Sequence, residues 1–497
     1  MTLRPIVGAT SLRELAILVT GPGLVAEATS NEISITGITH NSKDVLAGDL
    51  YVAVPGENHH GVEFIAEAIA RGAVAIASDE HGVAVATSNG IPNLLLSDVR
   101  HDMALLAAHI YGNPQKKLSL VGVTGTNGKT TTTHMLRSIF LDAKKSVGVI
   151  GTLGTFINEE SIPGVRTTPE STDLFALLAV MVDRGVKTVF MEVSSHALVL
   201  HRVTGLSFDV AVFTNLTQDH LDFHGDMDSY FQAKASLFTS EHAKRAIIGV
   251  DEAWGQKLAS AIQIPRLTVG AFGDWSLSKA KYAKPGVTAV TITTATTKIA
   301  LEINMFGSFN ATNAAMALAV VELLGTDQVD ALNSLRNIRP IPGRFEVVTH
   351  QALGTAVVDY AHTPDAVTTV LQVIRDSNPT RIIAVLGCGG DRDSAKRPLM
   401  GRAASELSDL VVITDDNPRS EDPAKIRAAV LAGARQGDAQ LIEIGNRREA
   451  IRYALAQAKA GDVVAVLGKG HETGQEVNGV ITDFDDRKVI VAESANV

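Results

Sequence analysis

The chain has 497 residues, 45% hydrophobic and 20% charged, with 42 glycines and a net charge of −10. The length allows roughly three domains, and the balance excludes wholesale disorder and argues against broad nucleic-acid binding. Cys388 is the only cysteine, which excludes an intrachain disulfide or a cysteine metal cluster.

Arg13 and Glu14 interrupt the N-terminal apolar residues, so nothing there reads as a signal peptide. No run approaches the roughly 20 apolar residues of a membrane span. A cytoplasmic enzyme without membrane insertion is expected. In residues 1–112, short apolar strands end in turns: Asp49–Val54 into Pro55-Gly56, Ala73–Ala77 into Ser78-Asp79, and Asn93–Leu96 into Ser97-Asp98. A helical pattern covers Phe64–Ala70, and Tyr111-Gly112-Asn113-Pro114-Gln115 has the turn chemistry of a linker.

The next segment, 113–341, opens on Leu118–Thr133, LSLVGVTGTNGKTTTT. Leu118, Leu120, Val121 and Val123 predict a buried strand, and Met135, Leu136, Ile139 and Phe140 a following helix. Between them, Gly125-Thr126-Asn127-Gly128-Lys129-Thr130-Thr131 suits a phosphate cradle. Lys129 is placed to reach terminal phosphates and the Thr130 hydroxyl to ligate Mg²⁺. A strict P-loop needs glycine where Val123 stands, which points away from generic NTPases. Val189–Met191 ends in Glu192-Val193-Ser194-Ser195-His196, and an acid at that strand end suits Mg²⁺ or water positioning; a helix-capping carboxylate is the plainer alternative. The stretch Thr214–Gly225 is rich in His and Asp but matches no zinc spacing. Leu267–Ile303, rich in Thr and Val, predicts antiparallel strands, and Ile341-Pro342-Gly343 a second linker.

Segment 342–497 carries four near-continuous apolar runs: Ala356–Val358, Ile382–Leu386, Leu410–Ile413 and Val463–Leu467. Separated by helical stretches, they predict a parallel sheet. Polar clusters follow each run: Asp359-Tyr360-Ala361-His362, Gly387–Asp391, Thr414–Arg419 and Gly468-Lys469-Gly470-His471-Glu472. The carboxyl edge of such a sheet is where open α/β folds bind ligands.

The ordered set of motifs resembles the Mur ligases, the ATP-dependent amide-forming enzymes of peptidoglycan synthesis. Besides the phosphate loop and Glu192, the resemblance rests on Asn215 with Asp219-His220-Leu221-Asp222, Asn310 to Asn313, Gly343-Arg344 and Asp359–His362. It implies three α/β domains: an N-terminal UDP-binding domain (1–112), a central P-loop ATPase (113–341) with a mainly parallel sheet, and a C-terminal Rossmann-like domain (342–497). It implies activation of a carboxylate by ATP as an acyl phosphate, then capture by an amine. By similarity, Lys129 holds phosphates, Thr130 and Glu192 one Mg²⁺, and His220 a second. Lys234 falls where the family carries a carbamoylated, metal-binding lysine. Asn313 resembles the adenine contact, and Arg344 and Asp359 the residues that reach ATP on closure.

Asp416-Asn417-Pro418-Arg419 resembles the motif of members that add meso-diaminopimelate to UDP-N-acetylmuramoyl-L-alanyl-D-glutamate. A guanidinium grips the second carboxylate that lysine lacks. Arg392, Asp416, Asn417, Gly468 and Glu472 complete that expected pocket with Arg419. Ser42 and Asn58 resemble UDP contacts, and Thr167, Thr168, Ser194 and Arg202 the muropeptide contacts. Lys43 stands where arginine is more usual, and Leu200 where some relatives have glutamine. A monomer is expected. The alternatives are a lysine-adding relative, a folylpolyglutamate synthetase-like ligase, or an ATP-driven switch that makes no amide.

Overall fold

The computed structural model describes residues 3–19, 23–24, 33–56, 59–164, 166–284, 286–351 and 354–494. Glu57 and Asn58 lie outside the described residues.

The first α/β unit has a five-stranded sheet formed by β1 (Gly23–Leu24), β2 (Gly37–Thr39), β3 (Asp49–Ala53), β4 (Ala75–Ser78) and β5 (Asn93–Leu95), in the order β1-β5-β4-β3-β2. The pairs β2–β3, β3–β4 and β4–β5 are parallel. α1 (Ile65–Arg71) stops at Gly72 in the left-handed region, and α2 (Val99–Ile110) is capped by the Asp98 side chain. Tyr111-Gly112-Asn113 does turn the chain, with Gly112 and Asn113 at positive φ. Tyr111 itself is buried in a core that runs from Leu50 and Leu94 through Leu106 to Leu174 and Phe175. The expected linker is therefore welded into the packing.

The second unit is built on a twelve-stranded sheet. β6 (Ser119–Thr124) lies at its centre, followed by the loop and α3 (Lys129–Asp142). β7 (Val147–Gly151), β8 (Gly154–Ile157) and β9 (Glu160–Ile162) form one wing. After α4 (Ser171–Asp183), β10 (Thr188–Glu192) inserts between β7 and β6, parallel to both. A short helix, α5 (Ser195–Val199), leads to β11 (Val210–Phe213), and α6 (Met227–Ala235) to β12 (Ala246–Gly249) and β13 (Arg266–Gly270), all parallel. The Thr/Val-rich stretch is part parallel and part antiparallel: β13 pairs parallel with Trp275–Leu277, beyond which the pairings to Ile303 are antiparallel. α7 (Ser308–Leu323) packs with α3 on one face of the sheet, and α4 covers the other.

The third unit has a six-stranded sheet: β14 (Glu346–Gln351), β15 (Gly354–Asp359), β16 (Ile382–Leu386), β17 (Leu410–Ile413), β18 (Gln440–Glu443) and β19 (Val463–Leu467). Their order is β14-β15-β19-β16-β17-β18. The four apolar runs are neighbours and parallel. α8 (Lys396–Leu407) and Pro364–Asp376 cover one face, and Arg447–Gln457 the other. A hairpin of β20 (Gly474–Val477) and β21 (Val480–Asp483) follows β19. Among the described residues no helix is long and apolar enough to cross a membrane.

Candidate active site

The turn between β6 and α3 is shaped by two glycines. Gly125 sits at φ +143, and a Cβ there would lie 1.9 Å from Thr214 Oγ1; Gly128, at φ +89, caps α3. Neither place accepts a side chain without strain. The loop is braced by Asn215, whose carbonyl accepts from Thr126 N–H (3.0 Å) and whose Oδ1 accepts from Asn127 N–H (2.8 Å). Lys129 Nζ folds back to donate to the Gly125 and Thr126 carbonyls, at 2.8 and 2.9 Å. Burial lowers its pKa, against the pull of Glu192.

Glu192 ends β10, beside the loop. Thr130 Oγ1 and Thr152 Oγ1 each donate to its Oε2 at 3.0 Å, and Thr152 N–H to Oε1 at 2.9 Å. Thr168 Oγ1 donates to the Glu192 carbonyl (2.8 Å) and accepts from Ser194 N–H (3.1 Å), so Thr168 and Ser194 share one wall. Arg202 pairs with Glu170 at 2.7 Å, and Arg100 joins the same carboxylate at 3.2 Å.

His220 adopts φ +53 and its imidazole lies 3.3 Å from Asp219. Burial pushes its pKa down to about 3, leaving a neutral ring with ligand capacity at neutral pH. Asp219 is held down at about 2: burial raises it, but His362, His220 and Lys396 outweigh that. Lys234, on α6, is 1% exposed and donates to the Gly125 carbonyl at 3.0 Å. Burial first, then the Lys129 charge, lowers its pKa well below the usual lysine value.

The third unit closes the other side. Arg344 Nη2 donates to Thr130 Oγ1 at 3.1 Å while its guanidinium stacks 4.6 Å from the Tyr360 ring. Asp359 accepts from Phe345 N–H at 2.7 Å, and burial raises its carboxyl to about 6. At the carboxyl edges of β17 and β19, Asn417 Nδ2 donates to Glu472 Oε2 at 2.7 Å, and Gly468, at φ +110, leaves room for Asp416. Arg419 donates to the Gly390 carbonyl at 2.7 Å and faces Glu476 at 3.5 Å.

These groups share one cleft of about 1220 Å³. Its walls include Thr126 through Thr131, Thr167, Thr168, Glu192, Ser194, Arg202, His220 and Asn313 from the second unit. Arg344, Asp359, Arg392, Asp416, Asn417, Arg419, Gly468 and Glu472 come from the third. Of the residues singled out from sequence, Gly125 and Lys234 lie behind that wall. Ser42 is 6% exposed, donates to Glu67 Oε2 at 2.7 Å, and does not line the cleft. Asn58 is outside the described residues.

Sequence reasoning missed Lys396, which starts α8, lines the cleft and lies 3.8 Å from Asp219. It also missed Thr152, whose only signal was its place after the glycine-ended strand β7.

Three family models match in order: "Mur ligase family, catalytic domain" over 34–110, "Mur ligase middle domain" over 123–321, and "Mur ligase, glutamate ligase domain" over 343–470. A UDP-N-acetylmuramoyl-L-alanyl-D-glutamate--2,6-diaminopimelate ligase of Streptomyces coelicolor is 43% identical over 498 residues, covering 98% of this chain and 97% of the relative. That of Geobacillus thermodenitrificans is 43% identical, covering 92% and 94%. A solved structure of a ligase of the same description superposes with a TM-score of 0.69 at 31% identity, covering 98% of this chain and 99% of the other.

Proposed function

We propose that this chain, which belongs to the Mur ligase family, is the ATP-dependent ligase that adds meso-2,6-diaminopimelate to UDP-N-acetylmuramoyl-L-alanyl-D-glutamate, in cytoplasmic peptidoglycan precursor synthesis. One observation carries the reading: the phosphate loop and the arginine-bearing edge of the third unit face the same cleft. An activated carboxylate and an incoming amine can meet there. The domain limits that fit this division of labour are 1–112, 113–341 and 342–497.

In this reading a carboxylate oxygen of the D-glutamyl residue attacks the γ-phosphorus of ATP. The bond to the β–γ bridging oxygen breaks, giving an acyl phosphate and ADP. The free amine of diaminopimelate then attacks the acyl carbon, loses a proton, and the tetrahedral intermediate expels inorganic phosphate to leave the amide. Lys129 exchanges its two loop carbonyls for phosphate oxygens. Asn313 meets the adenine, and Arg344 with Asp359 reaches ATP from the third unit. Closure keeps water from the acyl phosphate. Thr167, Thr168, Ser194 and Arg202 hold the peptide arm, with Ser42 and Asn58 assigned to the UDP end. Arg392 and Arg419 bind the distal carboxylate, and Asp416, Asn417, Gly468 and Glu472 its ammonium.

The residues fit Mg²⁺: Thr130 and Glu192 present hard oxygens 3.0 Å apart, and His220 is a neutral imidazole. Bound Mg²⁺ supplies charge neutralisation at the transferred phosphoryl group. Lys234 as an ammonium offers only donors and cannot ligate a metal. Its lowered pKa favours the neutral amine that CO₂ captures, and the carbamate so formed would join His220 at a second ion.

The test is incubation with Mg-ATP, the UDP-linked dipeptide and meso-diaminopimelate, with products weighed by mass spectrometry. Formation of the tripeptide with one ADP and one phosphate is expected. ATP hydrolysis at a rate indifferent to the amine, with no new amide, would overturn it.

A further inference from the structure

Beneath the amine pocket lies a lysine that phosphoryl transfer does not use. Lys469 is fully buried, held between Gly468 and Gly470 at φ +110 and +53. Its Nζ lies 3.0 Å from Asn417 Oδ1, 3.0 Å from Glu472 Oε2 and 3.6 Å from Asp416 Oδ1. Two of its N–H donors are hydrogen-bonded to the first two oxygens, and the Asp416 carboxylate pairs with the ammonium by charge.

The arrangement fixes its neighbours. Asn417 Oδ1 accepts from Lys469 and from Glu476 N–H (3.0 Å), so its Nδ2 must turn to Glu472 Oε2, 2.7 Å away. Both bonds at Glu472 use Oε2, which leaves Oε1 for a ligand. Two carboxylates and one ammonium give the pocket floor a net charge of −1. Arg447, behind the floor, is paired with Asp486 at 2.7 Å with both side chains fully buried, and so contributes no uncompensated charge.

We infer that Lys469 is a positioning residue for the amine substrate. It holds Asp416, Asn417 and Glu472 as a preformed cradle whose single net negative charge matches one ammonium group. Lys469 touches no substrate itself. The inference rests on the reading of this edge as the diaminopimelate pocket. Removing the ammonium leaves a buried and a half-buried carboxylate on the floor without this counterion, and frees both Asn417 and Glu472 to turn.

The experiment is Lys469→Met in the full chain, with the three substrates varied separately. The KM for diaminopimelate is expected to rise roughly 10- to 100-fold, the scale of lost charge-assisted hydrogen bonds. The KM values for ATP and the UDP-linked dipeptide should stay within about threefold, since the Lys469 ammonium bonds only to groups of the amine pocket. An unchanged diaminopimelate KM, or parallel rises for all three substrates, overturns the role.

Because two uncompensated carboxylates, one of them buried, can themselves prevent folding, Lys469→Met with Glu472→Gln provides a second variant whose floor keeps the original net charge. Its diaminopimelate KM should exceed that of Glu472→Gln alone by about threefold or more, because Asn417 loses the bond that orients it, whereas floor charge alone would lower the KM. An equal or lower KM overturns the inference. Absence of diaminopimelate-dependent phosphate release in the unsubstituted chain would overturn the pocket reading as well, and is distinguished by that control.

Discussion

Lys129 and Arg419 line the cleft from different units, and both now bond to main-chain carbonyls that a ligand would replace. Lys129→Ala removes the only loop ammonium and should lower kcat by about a thousandfold, the cost of losing a preorganised charge at a transferring phosphoryl group. Near-normal turnover would contradict the phosphate-loop assignment. Arg419 holds φ +53, a conformation that costs a non-glycine residue about 1–2 kcal/mol. Its peptide is pinned by the hairpin: Arg419 N–H donates to the Glu476 carbonyl (3.1 Å), and Asn478 N–H to the Arg419 carbonyl (2.7 Å). Arg419→Lys keeps the charge but loses the fork, so the diaminopimelate KM should rise about 10-fold or more with ATP kinetics unaltered. Equal KM values for the two proteins would remove Arg419 from carboxylate binding. These residues were legible because glycine, lysine and arginine at fixed offsets from apolar runs have few other uses. Lys396 was not, because its significance lies in Asp219, 177 positions earlier in the chain and 3.8 Å away in space.

At the scale of elements, sequence gave most where burial is complete. β16 and β17 are apolar and buried throughout, β15 and β19 nearly so around Ala356–Val358 and Val464–Leu467, and polar residues just past the carboxyl ends of β15, β17 and β19 line the cleft. β18 escaped notice because it is a half-exposed edge strand, Gln440-Leu441-Ile442-Glu443, with no buried run to betray it. The hairpin β20–β21 also went unread, although Asn478-Gly479 between Val477 and Val480 is a strong two-residue turn signal. Both turn residues have positive φ, as a type I′ turn requires. The glycines that end strands make a sharper test. Gly468→Ala would place a Cβ 2.6 Å from Asp416 Oδ2 at φ +110. It should raise the diaminopimelate KM by about tenfold or more through displacement of Asp416, while leaving ATP binding intact. Binding of a nucleotide analogue and of diaminopimelate, measured by calorimetry, separates the two; unaltered affinity for both would contradict the account.

Across the whole molecule, the first and second units share one apolar core, whereas the third has its own two layers and meets the second through Phe306 and Phe309 packed on Phe345 and through polar groups. Arg344 to Thr130, Asn127 to Asp365 (3.5 Å) and the pair His362–Asp219 (3.8 Å) all cross that junction at the phosphate loop. That union was not legible from linker chemistry alone, since Tyr111 is buried while Gly343 turns at φ +64 against Gly470. Burial also sets an acid limit to stability. His134 and His471 are both pushed down to about 3 from an ordinary 6.5. Between those values the unfolded chain binds more protons, so their contribution is complete above pH 6.5 and is lost as pH falls towards 3. Asp359, raised from 3.8 to about 6, acts in the opposite direction below pH 6, but as one group against these two and His220, which burial lowers likewise. The melting temperature should therefore be lower at pH 5 than at pH 7.5, and a higher one at pH 5 would contradict these assignments. The most direct measurement of the central claim is phosphate release from Mg-ATP with UDP-N-acetylmuramoyl-L-alanyl-D-glutamate, comparing meso-diaminopimelate with L-lysine. Release that depends on diaminopimelate and is weak with lysine is the predicted result. Preference for lysine would keep the ligase chemistry and contradict the role assigned to Arg419.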